Sequence, residues 1–281
     1  MRERSFGSTG RRVPLIGQGT WYQPGDDRDA AIAVLRRGID LGMSHIDTAE
    51  MYLSGDAEEW IAGVIAGRRQ EIFLVSKVLP SNASRRGTMA ACERSLARLR
   101  TDYLDCYLLH WRGAHPLAET VAAFEQLQRE GKIRSWGVSN FDAADLDEVR
   151  AVAGQSGPVC DQVLYHLQER AIEHAVLPWC ERQGAAVVAY SPFGHGRFPG
   201  PRTSGGKLLQ RIAAAHGANP RQVALSFLLR REAVFAIPKS SSIAHVEENA
   251  AAGDLQLTQS ELHQIDQAFP LGPEPSDLPM L

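Results

Sequence analysis

Along this chain of 281 residues, apolar runs short enough for strands alternate with segments of helical periodicity, eight times over. The strand-like runs are 15–20, 45–47, 72–77, 104–110, 133–139, 159–162, 185–190 and 234–237. Most are continuously apolar, the pattern of strands buried on both faces in a parallel sheet. Helical periodicity follows each run, for instance at 29–41, where Ile32, Leu35 and Ile39 share one face. Further helices are predicted over 84–99, 117–129, 172–182, 208–216 and 221–230, and from about 56, 142 and 244. Thr258 and Glu261 read as a capping box for a terminal helix. A hairpin is predicted within 5–14, and the proline-rich tail from 270 reads as irregular. A repeat unit of roughly 30 residues fits an α/β fold of the (β/α)8 TIM-barrel type. Here it would carry an N-terminal β-hairpin and extra helices near the C-terminus. A doubly wound open sheet is the rival. No composition break marks a linker, so residues 1–281 are expected to form a single barrel domain.

Charge excludes some partners. The net charge of -3 offers no basic footprint for nucleic acid and no polybasic patch for an anionic membrane. No apolar run approaches the roughly 20 residues of a membrane span. The N-terminal residues show no signal-like core. The four cysteines, Cys92, Cys106, Cys160 and Cys180, form no metal or redox spacing, and no metal is expected. A reducing cytoplasm and a monomer are the expected setting, with an oligomer left open. Lysine is scarce: Lys77, Lys132, Lys207 and Lys239 stand against 26 arginines.

In a barrel of this kind the site lies at the carboxyl ends of the strands. Those ends deliver Thr20, Asp47, Lys77, His110, Ser139 with Asn140, Gln162, Tyr190 with Ser191, and Lys239. Any one of them has a structural explanation, such as a turn cap or a hydrogen-bonded core histidine. All of them on one rim do not. Tyr52 follows Asp47 in a loop and completes a set of acid, phenol, amine and imidazole. A phenol has a pKa of about 10, and a neighbouring ammonium is expected to lower it. Asp47 would hold Lys77 charged, and His110 would bond the substrate oxygen or the phenol. Such a set suits protonation of an oxygen that is becoming an alkoxide, and hydride addition to a carbonyl produces one.

The chain resembles the aldo-keto reductases over nearly its full length. The matching motifs are Gly17-Gln18-Gly19-Thr20-Trp21, Asp47-Thr48-Ala49-Glu50-Met51-Tyr52, Ser76-Lys77 and Leu109-His110-Trp111 in the first half. Gly137-Val138-Ser139-Asn140-Phe141, Tyr190-Ser191-Pro192-Phe193-Gly194 and Ile237-Pro238-Lys239-Ser240 continue it. The resemblance implies a catalytic tetrad of Asp47, Tyr52, Lys77 and His110, with Tyr52 as general acid. It implies that Ser139, Asn140 and Gln162 hold a nicotinamide amide and that Tyr190 stacks on the ring. The loop from Ser191 would line the pyrophosphate, with Phe193 and Gly194. Lys239 and Ser240 would meet the adenosine 2'-phosphate, and Glu248 with Asn249 the adenine. Gly19, Thr20, Trp21 and His245 join the expected cofactor contacts. His245 stands where the family often has a phosphate-gripping arginine, and the loop 194–206 is short. The implied cofactor is NADPH (NADP+), with NADH possible. No G-x-G-x-x-G fingerprint is present, so the cofactor would be held by barrel loops.

Trp21, Tyr52, Leu79, His110 and Trp111 are the expected substrate pocket, with Phe193 beside them. Such walls suit a small, partly apolar aldehyde or ketone, a sugar aldehyde or a 2-oxoaldehyde alike. Two alternatives stand beside a carbonyl reductase: a cofactor-sensing regulatory subunit with little turnover, and an NAD-dependent alcohol or sugar dehydrogenase.

Overall fold

The computed structural model describes residues 1–154 and 157–281. An antiparallel pair, β1 (Glu3–Ser5) and β2 (Arg12–Pro14), comes first, as the turn signals predict. Eight parallel strands follow: β3 (Gln18–Gly19), β4 (His45–Asp47), β5 (Phe73–Val78), β6 (Leu104–Leu109), β7 (Ile133–Ser139), β8 (Cys160–Leu164), β9 (Ala186–Tyr190) and β10 (Val234–Ala236). Their spatial order is their sequence order. A doubly wound sheet would reverse direction partway, so that rival is excluded. The two edges also meet. Ile16 bridges Ala236, Gly17 N donates to Ala236 O at 2.8 Å, and Ala236 N donates to Leu15 O at 2.9 Å.

Helices α1 (Arg28–Asp40), α2 (Asp56–Ile65), α3 (Arg85–Leu99), α4 (Leu117–Arg129), α5 (Ala143–Ala153) and α6 (Val176–Gln183) follow β3 to β8 in turn. Two helices, α7 (Ser204–Ala215) and α8 (Pro220–Leu228), follow β9, and α9 (Ile243–Ala252) and α10 (Gln259–Ala268) follow β10. Asp27, Ser84, Asp142 and Thr258 each accept a backbone N–H from the first turn of their helix. This is how short polar side chains satisfy otherwise orphaned donors.

Several boundaries depart from expectation: α6 starts at Val176 and not 172, and α7 at Ser204 and not 208. The first run keeps only Gln18–Gly19 as strand, because its glycines mark close approaches. A Cβ at Gly17 would lie 2.8 Å from the His45 ring, and one at Gly19 would lie 2.7 Å from Ile237 O. His45 itself is a core residue, edge-on to Phe6 and Phe73, and burial pulls its pKa down to about 3. Helix α2 has no side-chain cap at its start. Gly55 (φ 105) turns into it, and Glu58 faces inward instead, accepting from Ser76 Oγ and Arg98 at 2.6 Å each. Asp56, Glu58 and Glu59 still place acidic charge on the positive end of the helix.

The amino-terminal end of the barrel is held by a buried carboxylate. Asp105, 1% exposed near the start of β6, accepts from Arg11 at 2.6 Å, Arg69 at 2.9 Å and the Leu74 backbone N–H at 3.0 Å. Removing the carboxylate takes from the partly buried Arg69 its only charged partner among the described residues and leaves the Leu74 N–H without its acceptor. Asp105→Ala is therefore expected to cost about 3 kcal/mol of stability, read by chemical denaturation. An unchanged midpoint would show that the two arginines do not depend on it.

Candidate active site

At the opposite rim, β4 ends on Asp47 and β5 carries Lys77 across from it, both within 1% of full burial. The Lys77 ammonium has three protons and three acceptors around it. It donates to Asp47 Oδ1 at 2.5 Å, to Thr48 O at 2.8 Å and to the Tyr52 phenol oxygen at 3.3 Å. Burial works against the ammonium, but Asp47 and Tyr52 more than offset it, so Lys77 stays charged with its pKa above the usual lysine value. Burial also lifts the Asp47 carboxyl, against the opposing pull of Lys77 and Gln162.

Tyr52 opens a single 3-10 turn, Tyr52–Gly55, in which Leu53 and Ser54 have positive φ. That turn carries the phenol back over the barrel mouth. Desolvation by the surrounding protein pushes the Tyr52 pKa up, and this outweighs the lowering by Lys77. The net direction corrects the sequence expectation of a lowered pKa: the ammonium is present, but so is the barrel that excludes water. Tyr52 is a neutral phenol whose oxygen accepts from Lys77, leaving its own proton to be given elsewhere.

His110 follows directly on β6 and packs edge-on to Tyr52, ring centroids 5.8 Å apart. Burial, with the Lys77 charge, pulls its pKa down to about 2. The imidazole is neutral, and its Nδ1 is buried without a partner among the described residues. No hydrogen bond joins it to the phenol; it meets Tyr52 only through ring packing.

A hydrogen-bonded chain runs around the rim from this set. Gln162 Nε2 donates to Asp47 Oδ2 at 2.7 Å, and Ser139 Oγ donates to Gln162 O at 2.8 Å. Asn140, at φ 60, donates to Ser139 Oγ and to His110 O, both at 3.1 Å. Tyr190 donates its hydroxyl to Asn140 Oδ1 at 2.8 Å. Thr20 is buried and donates to Asp47 O at 2.8 Å.

These residues surround one cavity of about 400 Å³. Gly19, Thr20, Asp47, Tyr52, His110 and Ser139 line it, with Asn140, Gln162, Tyr190, Ser191, Phe193 and Lys239. Trp21 and Trp111 also line the cavity. Leu79 does not line it. Its backbone N–H donates to Glu50 Oε1 at 2.8 Å, which folds the loop after β5 away from the mouth. Gly194 lies on a neighbouring depression, and His245 and Glu248 line a separate cleft. Asn249 is buried and gives its amide to Ser240 Oγ at 2.8 Å, so that pair is satisfied within the fold. Lys239 reaches Asp26 at 2.9 Å across the mouth.

Sequence reasoning missed several contributors. Thr48 acts through its main-chain oxygen, which no side-chain pattern reveals. Asp26, Met51, His195 and Leu281 come from loops. His195 stacks on Trp21 at 5.3 Å, and Leu281 N donates to the Tyr190 hydroxyl at 3.3 Å. Among the described residues no group of His, Cys, Asp and Glu has metal-ligand geometry, and no helix is long and apolar enough to cross a membrane.

The site can be compared with known proteins. The model of the aldo/keto reductase family matches residues 15–269. The chain is 47% identical to methylglyoxal reductase YeaE of Escherichia coli (strain K12), covering 92% of both. It is 33% identical to glyoxal reductase of Bacillus subtilis (strain 168), covering 95% of this chain and 94% of that one. The crystal structure of an aldo-keto reductase from Klebsiella pneumoniae in complex with NADPH superposes with a TM-score of 0.93 at 44% identity, covering 100% of both chains. On the closed ring of strands and on these matches, the chain belongs to the aldo/keto reductase family of oxidoreductases.

Proposed function

We propose that this protein reduces small aldehydes and ketones, 2-oxoaldehydes among them, with NADPH as hydride source and Tyr52 as proton donor. The observation that carries the reading is the Lys77 ammonium with all three protons engaged, one of them on the phenol oxygen. The relatives named for methylglyoxal and glyoxal reduction support the substrate class, and the Klebsiella complex supports the cofactor.

The residues present fit a nicotinamide dinucleotide. Ser191, Gly194, His195 and Gly196 all have positive φ, a backbone course suited to turning N–H groups toward phosphate oxygens. Asn140, Gln162 and Ser139 bring amide and hydroxyl groups to one side of the cavity. When bound, NADPH supplies the hydride to the carbonyl carbon.

This chain's own residues handle the oxygen. The neutral His110 imidazole borders the pocket beside Tyr52 and orients the carbonyl oxygen toward the phenol. Tyr52 gives its proton to that oxygen as the carbon–oxygen double bond becomes single. The phenolate left behind sits against Lys77, whose charge stabilises it, and Asp47 keeps that charge in place. Solvent then returns a proton to Tyr52. Trp21 and Trp111 limit the carbonyl's substituents and exclude water.

A steady-state assay with methylglyoxal, glyoxal and simple ketones tests the reading. Tyr52→Phe is expected to lower kcat/KM by about 100-fold or more while NADPH still binds. Wild-type turnover in that variant would remove Tyr52 as the proton donor. The His110 shift adds a pH test. A base with its folded pKa near 2 does not titrate between pH 5 and 8. The profile of kcat/KM is therefore expected to lack an inflection near 6.5. An inflection there that disappears in His110→Gln would contradict a neutral imidazole.

A further inference from the structure

A second cleft of about 330 Å³, separate from the active-site cavity, lies between the loop after β9 and the starts of α8 and α9. Arg221 projects into it from the first turn of α8. Its guanidinium carbon lies 5.7 Å from the centre of the Phe193 ring and 5.0 Å from that of Phe198. The two rings stand edge to face, centroids 6.0 Å apart. Phe193 is thus shared: it borders the cavity over Tyr52 and seats the arginine next door.

Two other cations near this end, both named in the expected cofactor contacts, are committed or less suited. Lys239 is paired with Asp26 at 2.9 Å. His245 lies exposed at the start of α9, its backbone N–H on Ser242 Oγ, and an imidazole offers at most two donors where a guanidinium offers five. The backbone N–H of Arg221 donates to Asn219 Oδ1 at 3.0 Å, and its side chain makes no hydrogen bond or ion pair with the described residues. Glu248 borders the same cleft without pairing to it, and its backbone oxygen is tied to Gln222 of α8 at 2.9 Å. The base of the cleft is therefore fixed while the guanidinium's fork remains open.

We propose that Arg221 reads the ribose phosphate that distinguishes NADPH from NADH, from a helix outside the segment 239–245 to which the family resemblance assigns that task. The inference rests on the dinucleotide reading of the site. On that reading a dinucleotide with its nicotinamide at Tyr52 would lead its adenosine end along the loop after β9, which borders both the cavity and this cleft. A planar guanidinium pairs with phosphate oxygens through two parallel N–H bonds, and the phenyl faces of Phe193 and Phe198 hold its plane. Glu248 offers a carboxylate suited to an amino group of the base rather than to the phosphate.

The test measures the dissociation constants of NADPH and NADH for wild type, Arg221→Ala and Arg221→Lys, by quenching of tryptophan fluorescence. Arg221→Ala is expected to weaken NADPH by about tenfold or more and NADH by less than about threefold, the difference that one charge-assisted contact makes. Arg221→Lys is expected to fall between, keeping charge without the fork. Equal weakening of both cofactors would overturn the proposal, because it would make Arg221 a packing residue for the shared part of the dinucleotide. No change in either would overturn it as well. A wild type that reduces aldehydes but binds both cofactors equally would refute phosphate reading while leaving the reductase intact. A wild type that binds neither cofactor would refute the dinucleotide reading itself, and this inference with it.

Discussion

A lysine ammonium with no water around it must find an acceptor for each of its protons, and the top of this barrel is built around that demand. Lys77 is held by a carboxylate, a main-chain carbonyl and a phenol. Each acceptor comes from the segment that leaves β4, so one stretch of chain is pinned at successive points by one side chain from β5. The sharp turn with two left-handed residues after Tyr52 is the backbone cost of bringing the phenol within reach. From Asp47 the order spreads sideways through Gln162 and Ser139 to Asn140 and Tyr190. The rim thus comes preassembled, which favours reaction over reorganisation.

The two ends of the barrel use similar chemistry for different purposes. At the amino-terminal end, Asp105 is surrounded by arginines and a backbone donor, and every charge there is answered. At the carboxyl end, the charged pair is answered but the phenol proton and the buried Nδ1 of His110 are not. β6 contributes to both ends, with Asp105 near its start and His110 just past its finish. The same strand therefore carries a closed ion cluster and one wall of an open cavity.

Most of the barrel was legible in the sequence because its strands are buried on both faces and most of its helices begin with oxygen-bearing caps. β7 and α4 fall where the apolar pattern places them. Positions fixed by close approach were harder to read. The first strand is cut short at Gly17 and Gly19 because of what packs against them, and no local pattern contains His45 or Ile237 O. The tetrad was legible through the strand ends, but the sign of the Tyr52 shift was not. That sign depends on how much protein surrounds the phenol, a property of the folded mass and not of any neighbouring residue. Leu79 was misplaced for a related reason. Its loop is folded back by Glu50, whose carboxylate gives no sign in the sequence of serving a backbone N–H. Arg221 went unnoticed because its partners are rings from another loop.

The scarcity of lysine has a practical side. Of the four, Lys77 is sealed inside the barrel, Lys132 and Lys239 are partly covered and ion-paired, and Lys207 stands in the open. A reagent that acylates side-chain amines has few places to attach, and one of them, Lys239, borders the cavity. Coupling this protein to a resin or a dye at Lys239 would block the entrance, coupling at Lys207 would leave it open, and its many arginines would be left untouched by the same reagent.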